Sequence, residues 1–353
     1  MRVAVVGFPF SGKTSVFSAI SGLAPESTQP GDETLAAVRI YDERLDALEE
    51  MYKPKKRTEA TMAFVDLPGS ADGDLERAGL TKHLPSLRQC DALVLVVRAF
   101  DSPSVPAYKD KVDPKRDLSL LRDEILLADL EICSNRVEKL LASVKKPTKE
   151  QEKQKKELAL LERCKEALEN EKPLRDVIQP GEEEKLLRSF GFLTQKPIVI
   201  AINVNEEDAA KPAPFEDPDA AATVALSARV ESDLAQMSAE ERQEFMGDYG
   251  LEKLARTRII QACFAALGMI SFLTAGEEEV RAWPLPRDST AVEAAGEIHS
   301  DLARGFIRAE TVAFDDLVAA GSMRDAKAAN KVRQEPKTYI VKDGDVILFK
   351  HSG

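Results

Sequence analysis

Gly7-Phe8-Pro9-Phe10-Ser11-Gly12-Lys13-Thr14 is a G-x-x-x-x-G-K-T phosphate-binding loop, set between an apolar strand-like run, Val3 to Val6, and a helix-like run, Ser15 to Ile20. In that setting the motif has a mechanism. Its glycines let the backbone curl until successive N–H groups and a helix N-terminus point at the α- and β-phosphates of a nucleotide. Lys13 then reaches the β- and γ-phosphates, Thr14 offers its hydroxyl to an octahedral Mg²⁺, and Ser15 faces the α-phosphate. The expected phosphate-binding set is Gly7, Phe8, Pro9, Phe10, Ser11, Gly12, Lys13, Thr14 and Ser15, with Lys13 also carrying catalysis.

A second strand-like run, Thr61 to Val65, delivers Asp66, and Asp66-Leu67-Pro68-Gly69 reads D-x-x-G. Asp66 is the expected partner of Thr14 at Mg²⁺. The Gly69 N–H is the expected sensor of the γ-phosphate, and hence a second catalytic position.

At 353 residues the chain is long enough for two or three domains. Its four cysteines, Cys90, Cys133, Cys164 and Cys263, form no C-x-x-C pair, which argues against a zinc site or a disulfide framework and for buried thiols in a reducing compartment. His83, His299 and His351 are too scattered for a metal cluster, leaving Mg²⁺ as the expected metal. A net charge of −12 opposes general adhesion to nucleic acid or anionic membrane. No apolar stretch approaches the ~20 residues of a membrane span and no signal sequence is legible, so a soluble, cytoplasmic protein is expected.

Val3–Val6, Val38–Tyr41, Met62–Val65 and Leu93–Val97 read as strands of a mostly parallel sheet covered on both faces. From Leu118 to Asn170 the period changes. Leu118, Leu121, Ile125, Ala128 and Ile132 are spaced by threes and fours, and Cys133, Val137, Leu140 and Val144 continue after a phase shift. That is coiled-coil spacing, broken at Pro147-Thr148 and returned by Leu158, Leu161, Cys164 and Leu168, so an antiparallel helical hairpin is expected. The lysines around its tip, Lys145, Lys146, Lys149, Lys153, Lys155 and Lys156, alternate with Glu150, Glu152 and Glu157 and read as a solvated face.

The sheet pattern resumes at Pro197–Ile202 and Thr223–Leu226, and a helix from about Leu251 to Leu267 closes the domain. A third unit follows: strand Val280–Leu285, a capping box Thr290–Glu293 opening a helix to about Arg304, strand Ile307–Ala313, and Tyr339–Phe349 as a hairpin turned at Asp343-Gly344. Trp283 reads as a packing anchor. The expected fold class is α/β: a P-loop nucleotide-binding domain over residues 1–117 and 189–277, an inserted helical hairpin over 118–188, and a β-grasp module over 278–353.

Asn203-Val204-Asn205-Glu206 follows the strand where translation-factor-like GTPases carry N-K-x-D, whose aspartate accepts two hydrogen bonds from guanine. Here Glu206 is one methylene longer and Val204 replaces the lysine that lies over the base. A misplaced acceptor forfeits guanine discrimination, so ATP is favoured over GTP. Asn203, Val204 and Glu206, with Ser227 and Ala228 at the end of the next strand, make up the expected base site.

The chain resembles the YchF, or Obg-like ATPase, family over essentially its full length. The resemblance is carried by Asn203–Glu206, the helical insertion, Glu240–Met246, Phe272–Gly276 leading into Val280–Trp283, and the C-terminal stretches Ala295–Asp301, Gly305–Glu310 and Tyr339–Val346. It implies adenine-nucleotide hydrolysis, a TGS domain of β-grasp fold, and association with ribosomal RNA or protein. The N-terminal half departs from the family pattern. Phe10-Ser11 stands in place of N-V, Ser70 in place of a hydrophobic residue, the switch segment is shortened to Ala71–Arg77, and the family's proposed catalytic histidine aligns near Ala107. Thr28 and Thr34 are both candidates for the switch threonine. Positioning supplies most of phosphoryl-transfer catalysis, so slow turnover is expected; Arg77, Lys82 and His83 are candidates to compensate, but solvated switch residues are the favoured reading of all three. The competing readings are a non-hydrolysing nucleotide-dependent binding module, a GTPase of the same class, and a small-molecule kinase, for which the chain shows no arginine-rich lid.

Overall fold

The computed structural model describes residues 1–23, 33–67, 80–145 and 150–352. The chain divides into two compact units, Met1–Ala36 with Ala63–Ile259, and Ala37–Met62 with Ile260–Gly353. The described strands are β1 (Arg2–Val6), β2 (Thr34–Ile40), β3 (Lys56–Thr58), β4 (Ala60–Asp66), β5 (Ala92–Ala99), β6 (Ile198–Val204), β7 (Ala222–Leu226), β8 (Met269–Ala275), β9 (Glu279–Pro286), β10 (Phe306–Ala313), β11 (Arg333–Glu335) and β12 (Asp345–His351).

The first sheet has the order β2-β4-β1-β5-β6-β7. β1 pairs in parallel with β4 and β5, β5 with β6, and β6 with β7. β5 is buried from Ala92 to Arg98 and β6 along its whole length, the unbroken apolar habit of parallel strands covered on both faces. All strands of this run end at the same edge, where the phosphate loop leaves β1 and the base segment leaves β6.

Helix Pro114–Ser143 opens at Asp113, whose carboxylate accepts from Arg116 N at 3.1 Å, with proline in the first turn. The phase shift in its apolar stripe has a physical cause. Leu118, Leu121 and Ile125 pack into the core of the sheet, whereas Cys133, Val137 and Leu140 pack with Leu160, Leu161, Cys164 and Leu168 of the return helix Gln151–Glu169. The two helices run antiparallel, since Cys133 Sγ meets Leu161 O at 3.2 Å and Arg136 Nε meets Glu157 Oε1 at 2.7 Å. The break assigned to Pro147-Thr148 lies outside the described residues, as do Lys146 and Lys149. Of the tip lysines, Lys155 pairs with Glu152 at 2.8 Å. All four cysteines are free and buried.

Asp129 ties the insertion to the sheet. Fully buried, its carboxylate accepts from Arg88 Nη1 (2.9 Å), Leu193 N (3.0 Å), Thr194 N (2.8 Å) and Thr194 Oγ1 (2.9 Å). These bonds join helix Leu80–Gln89, the insertion and the segment entering β6.

The second sheet has the order β11-β10-β12-β8-β9-β3 and is mixed: β8–β9 and β10–β12 are antiparallel, β12–β8 and β3–β9 parallel. Helix Ala291–Ile298, opened by the Thr290–Glu293 capping box, buries Ala291, Ala294 and Ala295 against Phe272, Leu285 and Phe349. Trp283 packs along Phe272, donates from Nε1 to Thr274 Oγ1 at 3.0 Å, and lies under the Arg281 guanidinium.

Three details differ from the sequence reading. Strand β8 pairs with β9 from Met269 to Ala275, so this sheet takes in residues upstream of 278. The helix expected to reach Arg304 is interrupted at His299, which is extended (φ −164°, ψ 140°) and accepts from Asp301 N through Nδ1 to start a new turn, Ser300–Arg304. The hairpin expected at Asp343-Gly344 does not form. Asp343 accepts from Ser271 N at 2.9 Å and pairs with Arg44, Val341 N bonds Ser289 O, and only Asp345–His351 is a strand, between β10 and β8. A D-G pair flanked by apolar runs signals a hairpin only when its two arms have no better partners.

Replacing Asp129 with alanine strands a half-buried guanidinium and two buried amides. Denaturant unfolding of Asp129→Ala is expected to show a loss of about 3–5 kcal/mol; a loss near zero contradicts the assigned role.

Candidate nucleotide site

The phosphate loop is shaped by two contacts that only glycine permits. A Cβ on Gly7 would fall 2.7 Å from Val96 O on β5 and 2.6 Å from Ser11 Oγ. Gly12 has φ +85°, and a Cβ there would fall 2.3 Å from Asn203 Nδ2. Ser11 N donates to Phe8 O at 3.2 Å to close the loop, and Val16 N to Gly12 O at 2.8 Å to start helix Lys13–Ser21. Gly12 caps that helix without a side chain, so its first amides stay available to an anion. Phe8 points inward, stacked on Tyr108 with centroids 4.2 Å apart, and so offers a ligand only its backbone. Pro9 is half-buried, while Phe10 is 48% exposed and holds φ +62°. Ser15 is exposed at the first turn of the helix.

Lys13 and Asp66 are both buried. Burial pushes the Lys13 ammonium below its ordinary pKa, against the opposing pull of Asp66. Burial likewise pushes the Asp66 carboxyl above the usual range, partly offset by a hydrogen bond from Thr14 and by the charges of Lys13 and His83. Among the described residues nothing hydrogen-bonds Asp66 Oδ1 or Ser11 Oγ, both of which are buried. An orphaned carboxylate oxygen beside a threonine hydroxyl fits a hard cation that draws its other ligands from phosphate and water. Among the described residues no cluster of three His, Cys, Asp or Glu side chains could hold a metal. Gly69, Ser70 and Thr28 lie outside the described residues; Thr34 opens β2.

Beside the loop, a cavity of about 440 Å³ is lined by Gly12, Ser15, Phe100, Asn203, Glu206 and Ala228 among others. Asn203 is its keystone. Buried at the end of β6, its Nδ2 donates to Ser11 O at 3.2 Å and its Oδ1 accepts from Ala228 N at 3.1 Å. Ser227 caps helix Ala228–Gln236 by accepting from Val230 N. Val204 borders the cavity but is buried in the sheet core, and the Glu206 carboxylate pairs with Arg229 at 2.9 Å. Sequence reasoning missed Arg98, Phe100 and Asp101. Arg98, buried, donates to the carbonyls of Phe100, Val105 and Pro106 and lies over the Phe100 ring, while Asp101 N donates to Asn205 Oδ1 at 3.0 Å. The available signal was a lone arginine closing the apolar run Leu93–Val97.

A phosphate loop after the first strand, a carboxylate at the end of a neighbouring strand and a base-sized cavity at the sheet edge define a P-loop NTPase. Residues 2–128 match the family described as 50S ribosome-binding GTPase, and residues 269–352 match YchF-GTPase_C, described as a protein of unknown function (DUF933). The chain is 39% identical to "Ribosome-binding ATPase YchF" of Bacillus subtilis, covering 99% of both chains, and 35% identical to "Obg-like ATPase 1" of Oryza sativa subsp. japonica, covering 99% of this chain and 92% of that one. The solved "Schizosaccharomyces pombe YchF GTPase" superposes with a TM-score of 0.85 at 29% identity, covering 99% of this chain and 97% of that one. The chain belongs to the YchF family.

Because the folded-state pKa of Asp66 is raised, the unfolded chain loses its proton first. The resulting cost is absent below the ordinary carboxyl range, grows as pH rises through the folded value, and is complete above it. Without nucleotide, Asp66→Asn is therefore expected to melt higher than the native sequence at pH 7, with the gap closing near about pH 4. A lower Tm for Asp66→Asn at pH 7 contradicts this.

Proposed function

We propose that the chain is an Mg²⁺-dependent P-loop ATPase of slow turnover. Its nucleotide cycle switches the helical insertion and the C-terminal TGS-like module between binding states on the ribosome, in the cytoplasm. Gly7 to Ser15 hold the phosphates, Lys13 neutralises charge at the β/γ bridge, and Gly69 senses the γ-phosphate. Thr14 and Asp66 would hold Mg²⁺, which would supply positive charge against the phosphate oxygens.

The observation that carries ATP over GTP is the state of Glu206. Its carboxylate is taken up by Arg229, and Val204 is buried in the core, so neither supplies the acceptor or the overlying cation that a guanine reader needs. The relatives named as ribosome-binding and Obg-like ATPases support the same reading. Within the described residues no helix is long and apolar enough to cross a membrane.

Phosphate release with Mg²⁺ and ATP, alongside competition of ATP and GTP for one fluorescent analogue, tests this assignment. ATP is expected to compete at the lower concentration and to be hydrolysed. A GTP preference reverses the base assignment, and a rate equal to buffer leaves a nucleotide-dependent binding module. Lys13→Ala is expected to abolish turnover and weaken ATP binding at least tenfold, by about the 1.5–3 kcal/mol of a charged hydrogen bond; unchanged affinity by calorimetry contradicts it.

A further inference from the structure

Arg98 is the penultimate residue of β5 and lies in register with Asn203 on β6. An arginine that only closed a strand would keep its head in water. This one is buried, and each of its three nitrogens donates to a main-chain carbonyl: Nε to Phe100 O at 3.0 Å, Nη1 to Pro106 O at 2.8 Å and Nη2 to Val105 O at 3.1 Å. These acceptors are neutral, so they return less than a carboxylate would for the water the guanidinium gives up. A neutral side chain would close the strand without that cost.

What the guanidinium holds is the ring of Phe100. Its central carbon lies 4.4 Å from the ring centroid, close enough for the charge to be attracted to the ring face. Phe100 borders the cavity beside the phosphate loop, together with Asn203 and Ala228, whereas Arg98 does not. The ring also reaches the loop itself. A Cβ on Gly12, which would collide with the Asn203 amide, would meet Phe100 Cε1 at 3.8 Å, an ordinary contact distance. One residue further on, Asp101 N donates to Asn205 Oδ1 at 3.0 Å. The ring is therefore held by Arg98 near the end of β5 and steadied through Asn205 just after β6, at the point where the phosphate loop meets the cavity.

We propose that Arg98 is the positioning residue of the nucleoside subsite. Through the Phe100 ring and the carbonyls around it, Arg98 sets the wall against which base and ribose rest, and it leaves the phosphates to the loop. This rests on the nucleotide-binding reading above. Lysine cannot take its place, because one ammonium on a flexible stem reproduces neither the planar fork that spans three carbonyls nor the face that stacks on a ring.

The test separates the two ends of the ligand. Mg²⁺–ATP and Mg²⁺–tripolyphosphate are titrated calorimetrically into the full native chain, Arg98→Lys and Phe100→Leu, with folding checked by circular dichroism. Arg98→Lys is expected to bind ATP about tenfold more weakly, with tripolyphosphate affinity within about twofold of the native chain. Phe100→Leu is expected to show the same split. The double variant is expected to lose less than the product of the two single losses, as residues acting through one contact do. Native ATP affinity in Arg98→Lys, an equal loss for ATP and tripolyphosphate, or independent losses in the double variant overturns the proposal. If Arg98→Lys fails to fold, Phe100→Leu decides by the first two criteria. A native chain that binds tripolyphosphate as tightly as ATP has no nucleoside subsite for Arg98 to position, which also overturns the proposal. A native chain that binds neither overturns the nucleotide reading itself, and the Arg98 assignment falls with it.

Discussion

The amide of Asn203 is the contact on which the nucleotide site depends. One side chain donates to the phosphate loop at Ser11 O and accepts from the start of the next helix at Ala228 N, so the phosphate loop and the far wall of the adjoining cavity are set by a single rigid group. Its position is fixed by the sheet. β6 is buried from end to end and paired in parallel register with β5, Arg98 opposite Asn203. Gly12 completes the contact, because any side chain there would collide with the same amide. The sheet core thus determines the spacing of the proposed phosphate and base subsites before a ligand arrives, which is the meaning of preorganisation here.

The electrostatics of the site work against folding and for binding. Lys13 and Asp66 are both buried and both pushed toward their neutral forms, and Asp66 Oδ1 has no hydrogen-bonding partner among the described residues. Such groups are retained where a ligand supplies what the protein withholds. Asp129 shows the opposite solution, a buried carboxylate whose oxygens accept four hydrogen bonds. The first arrangement leaves a buried carboxylate oxygen without a hydrogen-bond partner among the described residues, and the second holds the helical insertion against the sheet.

What was legible in the sequence follows from range. The phosphate loop and the position of Asp66 at the end of a strand were readable because local spacing and strand context suffice for them. The phase shift after Ile132 was visible, but its reason was not: one helix packs first on the sheet and then on its return partner, which is a tertiary fact. The hairpin at Asp343-Gly344 failed because Asp343 is claimed by Ser271 N and Arg44, residues distant in the chain. The pairing of Glu206 with Arg229 and the clasp of Arg98 on the Phe100–Pro106 loop were hidden for the same reason. Each ties a side chain across a turn whose geometry no local pattern specifies.

Asn203 ties the phosphate loop to the start of helix Ala228–Gln236. Calorimetric titration of ATP into Asn203→Ala, in the presence of Mg²⁺ and with unchanged circular dichroism, tests it most directly. Loss of two hydrogen bonds of about 0.5–1.5 kcal/mol each, plus the exposure of their partners, predicts binding weakened by about 10- to 100-fold. Native affinity in that variant would contradict the account.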